Sequence, residues 1–266
     1  MPHDELLNLA RSVATQAAEL AARRRIEGVA VADRKTSSVD VVTYADRESE
    51  ELIRSLIAAA RPDDGFLGEE GEANTGTSGL TWVVDPIDGT VNYLYGIPHY
   101  AISVAVVEGE PDPTTWRALA GAVVNLGAQE TYTATAEGGS HLNGIPLRVA
   151  ETVDLSQALV ATGFSYLQEL RVKQGRVVAG LLPQVRDIRR MGTASLDLCM
   201  VASGRVNAYY EESLNPWDHA AGALIAREAG ATVKGRGDKA EGKDFILAAE
   251  PAVAQKLEAV LMQLDA

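Results

Sequence analysis

Residues 82–90 read Trp-Val-Val-Asp-Pro-Ile-Asp-Gly-Thr, so three apolar residues lead into two acids, a proline, a glycine and a hydroxyl. The pattern predicts a buried strand that ends in a turn, because Pro86 has no N–H to donate to a strand ladder. Asp85 and Asp88 lie three residues apart across that turn, and both side chains can reach one point. Two carboxylates at one point repel each other unless a cation lies between them. The stretch therefore indicates a site for a hard divalent metal ion, Mg²⁺ before Ca²⁺.

The same residues are equally typical of a surface turn, since Asp-Pro and Asp-Gly are common turn dipeptides. A second short apolar run bears on the choice: residues 66–70 read Phe-Leu-Gly-Glu-Glu, and the polar loop 71–79 separates them from the first stretch. If the two runs are neighbouring strands of one sheet, Glu69 approaches Asp85 and Asp88. We therefore expect a shared acidic site where the two strands end.

Composition limits the classes of molecule that the chain is expected to bind. The chain has 266 residues, and 37 Asp and Glu outnumber 24 Lys and Arg, which gives a net charge of −13. This charge argues against binding nucleic acid over a broad surface, but a small anionic substrate remains compatible because metal ions reverse the local sign. The single cysteine, Cys199, lies in an apolar run and is expected to be a packed core thiol. One cysteine and no apolar run near ~20 residues predict a cytoplasmic protein without a membrane span.

Helices are predicted at the start of the chain. Residues 4–27 carry apolar residues at helical spacing. Thr43 is an N-cap candidate for a second helix that runs to Ala60, and Asp46 follows three residues later, as in a capping box. On this pattern alone, Asp46 supports the helix dipole in the first turn.

The remaining elements indicate a layered α/β sandwich. Residues 91–96 are predicted to form a turn, and three strands after it suggest an antiparallel sheet: 100–107, 116–126 and 130–135. The second half alternates strands and helices. Its predicted strands are 159–163, 205–210 and 245–248, and its predicted helices are 166–182, 195–203, 219–229 and 252–264.

Five motifs together resemble the inositol monophosphatase family. Residues 82–93 resemble its first signature, and residues 217–225, closed by Gly230-Ala231, resemble its second. Three further motifs have the family's order and spacing: Gly68-Glu69-Glu70, Lys35-Thr36-Ser37-Ser38-Val39-Asp40 with Thr43 and Asp46, and Gly192-Thr193-Ala194. The similarity covers about residues 4–262. It implies one domain over residues 1–266, with halves at about 1–150 and 151–266, and an α-β-α-β-α sandwich of the inositol monophosphatase / fructose-1,6-bisphosphatase type.

The resemblance also implies a metal centre with two or three Mg²⁺ ions. Glu69, Asp85 and the backbone carbonyl of Ile87 would hold the first ion. Asp85, Asp88 and Asp218 would hold the second, and Glu69 would also line a weaker third position. Metal ions a few ångströms apart can hold an attacking water and a leaving oxygen in line.

Catalytic and substrate-binding roles follow from the same resemblance. Thr90 and Asp46 correspond to the couple that activates the water, and Glu69 is counted with them as catalytic. The N–H groups of Gly89 and Thr90 would receive the phosphate. The substrate's hydroxyl groups would be bound by residues further along the chain, with Asp88 beside the ester: Gly192, Thr193, Ala194 and Glu211.

The resemblance predicts a phosphomonoesterase for a small polyol phosphate, foremost inositol 1-phosphate, with Li⁺ as an inhibitor. The alternatives are the same chemistry on histidinol phosphate, fructose 1,6-bisphosphate or a 3′-phosphoadenosine nucleotide. They differ in the outer pocket, which comprises Phe164, Ser165, Tyr166, Arg190 and Glu211. A regulatory role as a partner of the transcription machinery is a further alternative, although the net charge of −13 disfavours direct RNA contact. A homodimer is the family expectation.

Overall fold

The computed structural model describes residues 3–34 and 41–265, so the Lys35–Asp40 motif lies outside the described residues. Within the described ranges, no helix combines the length and the apolar character that crossing a membrane requires. The helices are α1 Asp4–Glu27, α2 Tyr44–Ala60, α3 Thr90–Tyr95, α4 Gln168–Leu181, α5 Ala194–Ala202, α6 Pro216–Glu228 and α7 Pro251–Gln263. The strands are β1 Val31–Arg34, β2 Val41–Thr43, β3 Gly65–Gly68, β4 Leu80–Asp88, β5 Ala101–Glu108, β6 Arg117–Asn125, β7 Glu130–Thr135, β8 Gly139–Leu142, β9 Ile145–Pro146, β10 Leu159–Thr162, β11 Asp187–Arg189, β12 Ala208–Glu211, β13 Thr232–Lys234 and β14 Ile246–Ala249.

These strands form two large sheets and one small pair. The seven-stranded sheet has the order β3-β4-β5-β6-β7-β8-β9. Its β3 and β4 are parallel and its other neighbours are antiparallel, which confirms the predicted antiparallel strands. The five-stranded sheet has the order β11-β10-β12-β14-β13, in which β10 runs parallel to both β11 and β12. The division of the single domain near residue 150 stays a prediction.

Side-chain alternation along the strands builds five layers. In β4, Trp82 and Val84 pack with the helices α1 and α2, whereas Val83 packs on the opposite face of the sheet with α5 and α6. The five-stranded sheet does the same: Tyr209 joins the α5 and α6 layer, and Tyr210 packs toward α4 and α7. The order is therefore helices, sheet, helices, sheet, helices, which confirms the predicted α/β sandwich.

Strand β4 does not end at Pro86, so that prediction is wrong. It pairs with β5 through Asp85–Ser103 and again through Asp88–Ala101. Two residues of β4 thus lie opposite one residue of β5, which is a β-bulge. Proline is tolerated there because the bulge interrupts the ladder and needs no N–H from it. The bulge keeps the backbone extended through both aspartates and turns it at Gly89, whose φ is +88°.

Smaller differences concern short elements. Residues 91–96 are not a simple turn, because they belong mostly to α3, which lies between Gly89 and Gly96 with positive φ at both ends. The strand predicted at 205–210 is β12, which starts three residues later because Gly204 turns the chain before it at a φ of +68°. Six short strands were not predicted from the sequence: β1, β2, β8, β9, β11 and β13. Cys199 is a buried free thiol, as expected.

Candidate active site

The parallel pairing of β3 and β4 brings the first acidic groups together. The register pairs Gly68 with Val84, so Glu69, the residue that follows β3, lies beside Asp85 of β4, and its charge raises the pKa of Asp85. The N–H of Ile87 donates to Asp85 Oδ1 at 3.1 Å, which fixes the carboxylate inside the bulge. The predicted approach of Glu69 to Asp85 is confirmed.

Asp88 links this sheet to the second half of the chain. Its Oδ2 accepts a hydrogen bond of 2.7 Å from the N–H of Ser195, in the first turn of α5. The positive end of the α5 dipole favours a carboxylate at this point. Ser195 was not predicted as a site residue, since a backbone donor leaves no signal in side-chain chemistry.

Asp218 reaches the same region from the start of α6. This helix begins at Pro216, with Asn215 as its N-cap. The N–H of Asn215 donates to Asp218 Oδ2 at 2.6 Å, which completes half of a capping box. An Asn followed three residues later by an acid is a helix-start signal, and it sets the helix boundary earlier than the predicted 219.

These buried acids repel one another. Burial raises the pKa of Asp85 and Asp218 well above the usual range, and the charge of Glu69 raises both further. Burial also raises the pKa of Asp88 to about 6, against the lowering effect of the Ser195 hydrogen bonds. Buried carboxylates that repel one another are stabilised when a cation lies among them.

The donor set fits Mg²⁺. The groups are carboxylate and carbonyl oxygens, which hard divalent ions prefer, and no imidazole or thiolate is needed among them. Across residues 3–34 and 41–265, no three His, Cys, Asp or Glu side chains are arranged tightly enough to hold an ion as they stand. Mutual repulsion disfavours a closed group of ionised acids when no cation lies among them.

Asp46 and Thr90 form a hydrogen-bonded pair. Thr90 Oγ1 lies 3.1 Å from Asp46 Oδ1 and 3.1 Å from the carbonyl oxygen of Ile87, and its one proton serves these two acceptors. The other carboxylate oxygen of Asp46 accepts from the N–H of Thr43 at 2.8 Å and from the Thr43 hydroxyl. Asp46 is fully buried, and burial raises its pKa to about 6. The capping-box role and the contact with Thr90 therefore coexist in one side chain.

The loop at 192–193 closes the site opposite the bulge. Gly192 has a φ of +89°, and a Cβ on Gly89 would collide with Thr193 Oγ1, so both glycines are needed for this close approach. The role of Asn92, which connects the segment after α3 to the loop at 192–193, was not predicted from the sequence. Its amide donates to the carbonyls of His99 and Met191, both at 2.8 Å. Asn92 lies in the first signature, and that position was the available signal.

The predicted residues converge on one cavity of about 490 Å³. Asp46 lies behind Thr90, and the other predicted site residues line the cavity itself: Glu69, Asp85, Ile87, Asp88, Gly89, Thr90, Gly192, Thr193, Ala194, Glu211 and Asp218. Arg190 and Lys243 also contribute to its wall, as do the apolar side chains of Phe164 and Leu167.

Glu211 lies at the end of β12. It accepts a hydrogen bond of 2.7 Å from the Tyr209 hydroxyl. Burial raises the pKa of Glu211 to about 7, although Tyr209 and the charge of Arg190 lower it. Glu212, the neighbouring acid, pairs instead with Lys173 at 2.9 Å and with Arg236. Glu212 is therefore an ion-pair residue and not a free solvated acid.

Comparison with known proteins agrees with this geometry. The chain matches the Inositol monophosphatase family over residues 3–264. It is 42% identical over 283 aligned residues to an inositol-1-monophosphatase of Mycobacterium leprae, with 98% of this chain and 95% of that protein covered. The solved structure of Mycobacterium tuberculosis SuhB matches with a TM-score of 0.82 and 41% identity, covering 98% of this chain and 97% of the other. A Nus factor SuhB of Xylella fastidiosa is 42% identical over 199 residues, which covers 74% of this chain and 70% of that protein. The chain belongs to the inositol monophosphatase family, and it is a phosphoric monoester hydrolase that acts on a small phosphorylated substrate.

Proposed function

We propose that this chain is a Mg²⁺-dependent phosphatase that hydrolyses inositol 1-phosphate to inositol and phosphate. One observation carries the proposal: the hydrogen-bonded pair Thr90–Asp46 adjoins a wall of four carboxylates, and Glu211 lines the same cavity. The carboxylate wall consists of Glu69, Asp85, Asp88 and Asp218. One cavity thus contains groups whose chemistry suits water activation, phosphate binding and the recognition of substrate hydroxyls. The related Mycobacterium leprae protein is called an inositol-1-monophosphatase, which supports this substrate.

Two or three Mg²⁺ ions are proposed to be held by this wall. The first would take Glu69, Asp85 and the carbonyl of Ile87. The second would take Asp85, Asp88 and Asp218, and Glu69 would line a third position. When bound, Mg²⁺ neutralises phosphate charge and makes a nearby water more acidic.

The protein's own groups orient the water. Asp46 accepts a hydrogen bond from the Thr90 hydroxyl, so a lone pair of Thr90 Oγ1 is left to accept a hydrogen bond from the attacking water. Asp46 must be ionised for this arrangement. Glu69 is close enough for its charge to raise the pKa of Asp46, which supports a catalytic position for Glu69 near the same water.

The same cavity is proposed to bind the phosphate and the alcohol. The N–H groups of Gly89 and Thr90 are at the turn into α3 and suit phosphate oxygens. Glu211 is largely ionised only above its pKa of about 7, and it then accepts hydrogen bonds from substrate hydroxyls. The loop of Gly192, Thr193 and Ala194 lines the same cavity and is proposed to bind the alcohol with Glu211, and Asp88 is proposed to contact a hydroxyl beside the ester.

A substrate panel tests the proposal. Values of kcat/KM are measured for inositol 1-phosphate, histidinol phosphate, fructose 1,6-bisphosphate and a 3′-phosphoadenosine nucleotide under one set of conditions. We expect inositol 1-phosphate to exceed each of the others by about tenfold or more, which corresponds to one good hydrogen bond to a charged group. A higher value for any other ester would replace inositol 1-phosphate as the substrate.

A second candidate is a regulatory contact with the transcription machinery. It is favoured by the similarity to the Xylella fastidiosa protein that is called a Nus factor. Affinity capture with tagged chain from its own cell extract tests it, with an unrelated acidic protein as the control. Absence of any specific transcription protein would remove this candidate. A homodimer, a cytoplasmic location and inhibition by Li⁺ are also proposed, and mass photometry, cell fractionation and LiCl titration measure them.

A further inference from the structure

Gly163 lies directly against the carboxylate of Glu211. It is the residue after β10, and β10 runs parallel to β12 with Thr162 opposite Tyr210. The next pair in that register is Gly163 and Glu211. A Cβ built on Gly163 would overlap the carboxylate carbon and both carboxylate oxygens of Glu211, and its three nearest atoms all belong to that side chain.

Backbone conformation does not explain the glycine at 163. Gly89 and Gly192 have positive φ, which L side chains rarely adopt, but Gly163 does not. An alanine at 163 therefore incurs no penalty from a left-handed φ. The feature that a side chain would disturb is the space filled by Glu211.

Glu211 is held from a second direction. The hydroxyl of Tyr209 donates to Glu211 Oε2 at 2.7 Å, and Tyr209 is fully buried. The carboxylate therefore lies between a fixed phenol and the bare Cα of Gly163. Phe164 and Glu211 line the substrate cavity, and both also line a small neighbouring cavity together with Gly163.

We propose that Gly163 is a positioning residue: the absence of its side chain sets the Glu211 carboxylate where it meets the hydroxyl groups of the polyol. This inference rests on the hydroxyl-binding role proposed for Glu211. A methyl group at 163 displaces the carboxylate rather than the backbone, because the end of a flexible side chain is easier to move than a strand. The phosphate and water-activating groups are unaffected.

Kinetics of Gly163→Ala test the proposal with two esters. For inositol 1-phosphate we expect KM to rise about tenfold, with kcat changed less than about twofold, because hydroxyl recognition is weakened while the reacting groups stay in place. For p-nitrophenyl phosphate, which has no polyol hydroxyls, both constants should stay within about twofold of the parent values. The matched control is Gly175→Ala in α4, where a Cβ meets nothing within 4 Å. An unchanged KM for inositol 1-phosphate would overturn the proposal.

A double variant isolates the contact. In the Glu211→Ala background, Gly163→Ala should have no further effect on KM. The thermal unfolding midpoint, which we expect Gly163→Ala to lower in the parent, should not fall in this background, because removal of the Glu211 side chain leaves space for the new methyl group. The same KM increase in both backgrounds would mean that Gly163 acts by another route. If the parent does not hydrolyse inositol 1-phosphate but does hydrolyse p-nitrophenyl phosphate, the proposed substrate is wrong, and a crystal structure of Gly163→Ala decides the inference. A displaced Glu211 carboxylate supports it, and an unmoved one contradicts it.

Discussion

At position 46, one buried carboxylate joins a helix cap to the Thr90 hydroxyl. Its Oδ2 binds Thr43, and its Oδ1 binds Thr90. A carboxylate held by three donors cannot rotate freely, so it orients the threonine proton away from the cavity. This single geometry gives Thr90 its proposed ability to accept a hydrogen from water.

Removing the hydroxyl of Thr90 tests that role. Thr90→Val keeps the size of the side chain, and we expect kcat to fall by about 100-fold or more, the usual range for lost acid–base assistance. KM should change little because phosphate binding uses the backbone. Thr90→Ser retains the hydroxyl and serves as the control, with activity within about tenfold of the parent. Phosphate release measures both, and a Thr90→Val enzyme with parental kcat would refute the water-activating couple.

The sequence revealed these residues unevenly. The local sequence pattern identified Asp46 as a helix-capping residue. Only the family resemblance suggested its pairing with Thr90, since Thr90 is 44 residues away. Gly163 carried no signal at all, because the contact with Glu211 depends on the register of two parallel strands. Nonlocal contacts of this kind are set by topology and not by local pattern.

The start of α2 combines stability with pH dependence. Hydrogen bonds from Thr43 lower the pKa of Asp46, while burial raises it to about 6. The water-orienting role proposed for Asp46 requires its ionised form, so we expect kcat to fall as pH drops through about 6. Thr43→Val removes the hydroxyl donor, which raises the pKa of Asp46 and moves this acid limb to higher pH.

The same variant should lose about 1 kcal/mol of unfolding free energy, as expected for a lost N-cap. Thr43→Ser keeps the donor and should match the parent in both measurements. A pH–rate profile and urea unfolding report the two effects. An acid limb that stays in place, or moves to lower pH, would contradict the link between the cap and Asp46.

Alanine substitutions at two helical glycines should have opposite effects on stability, because Gly222 lies at the contact between α5 and α6 and Gly175 does not. A Cβ on Gly222 would lie 2.9 Å from Leu198 Cβ and 3.0 Å from the Ser195 carbonyl oxygen, so Gly222→Ala should destabilise by about 1–3 kcal/mol through overpacking. Gly175 in α4 faces open space, and Gly175→Ala should stabilise by about 0.4–1 kcal/mol. Urea unfolding of both variants checks the signs. Equal stability of the two variants would mean that the helices are not packed as described.

Elements were predicted best where a periodic pattern of apolar side chains extends over many residues. The helices of 13 residues or more and the long strands of the seven-stranded sheet could be read from the sequence. Short elements such as β13, with three residues, could not, because pairing with β14 creates the strand. The bulge at Pro86 was missed for a similar reason: only the partner strand β5 reveals that the ladder resumes.

Across the whole molecule, buried acids make stability depend on pH. The raised pKa values, about 6 for Asp46 and Asp88 and about 7 for Glu211, mean that the folded state binds protons more tightly than the unfolded state. In EDTA, these acids should make stability fall as pH rises from about 4, near the unfolded pKa values, to about 7. Burial lowers the pKa of His99 and of His219, and these two residues act in the opposite direction in the same window. Acids with lowered pKa, such as Asp64 and Glu130, act mainly below this window.

At neutral pH, Mg²⁺ should offset the loss of stability that ionisation of the buried acids causes. An ion that binds only the folded, ionised site stabilises that state by mass action, so the unfolding midpoint at pH 7 should rise with Mg²⁺ concentration. Asp85→Asn should weaken the response, because Asp85 is the proposed ligand of both main ions. Thermal unfolding in EDTA and in a MgCl₂ series measures it. A midpoint that does not respond to Mg²⁺ in the parent would argue against the metal site.

The central claim is that the carboxylate wall and the Thr90–Asp46 pair together make a Mg²⁺-dependent phosphatase. Its most direct test is the rate of phosphate release from inositol 1-phosphate by the purified chain, measured in MgCl₂, after excess EDTA, and after Mg²⁺ is restored. We predict that EDTA abolishes release and that added Mg²⁺ recovers it. Undiminished phosphate release in EDTA would contradict the account.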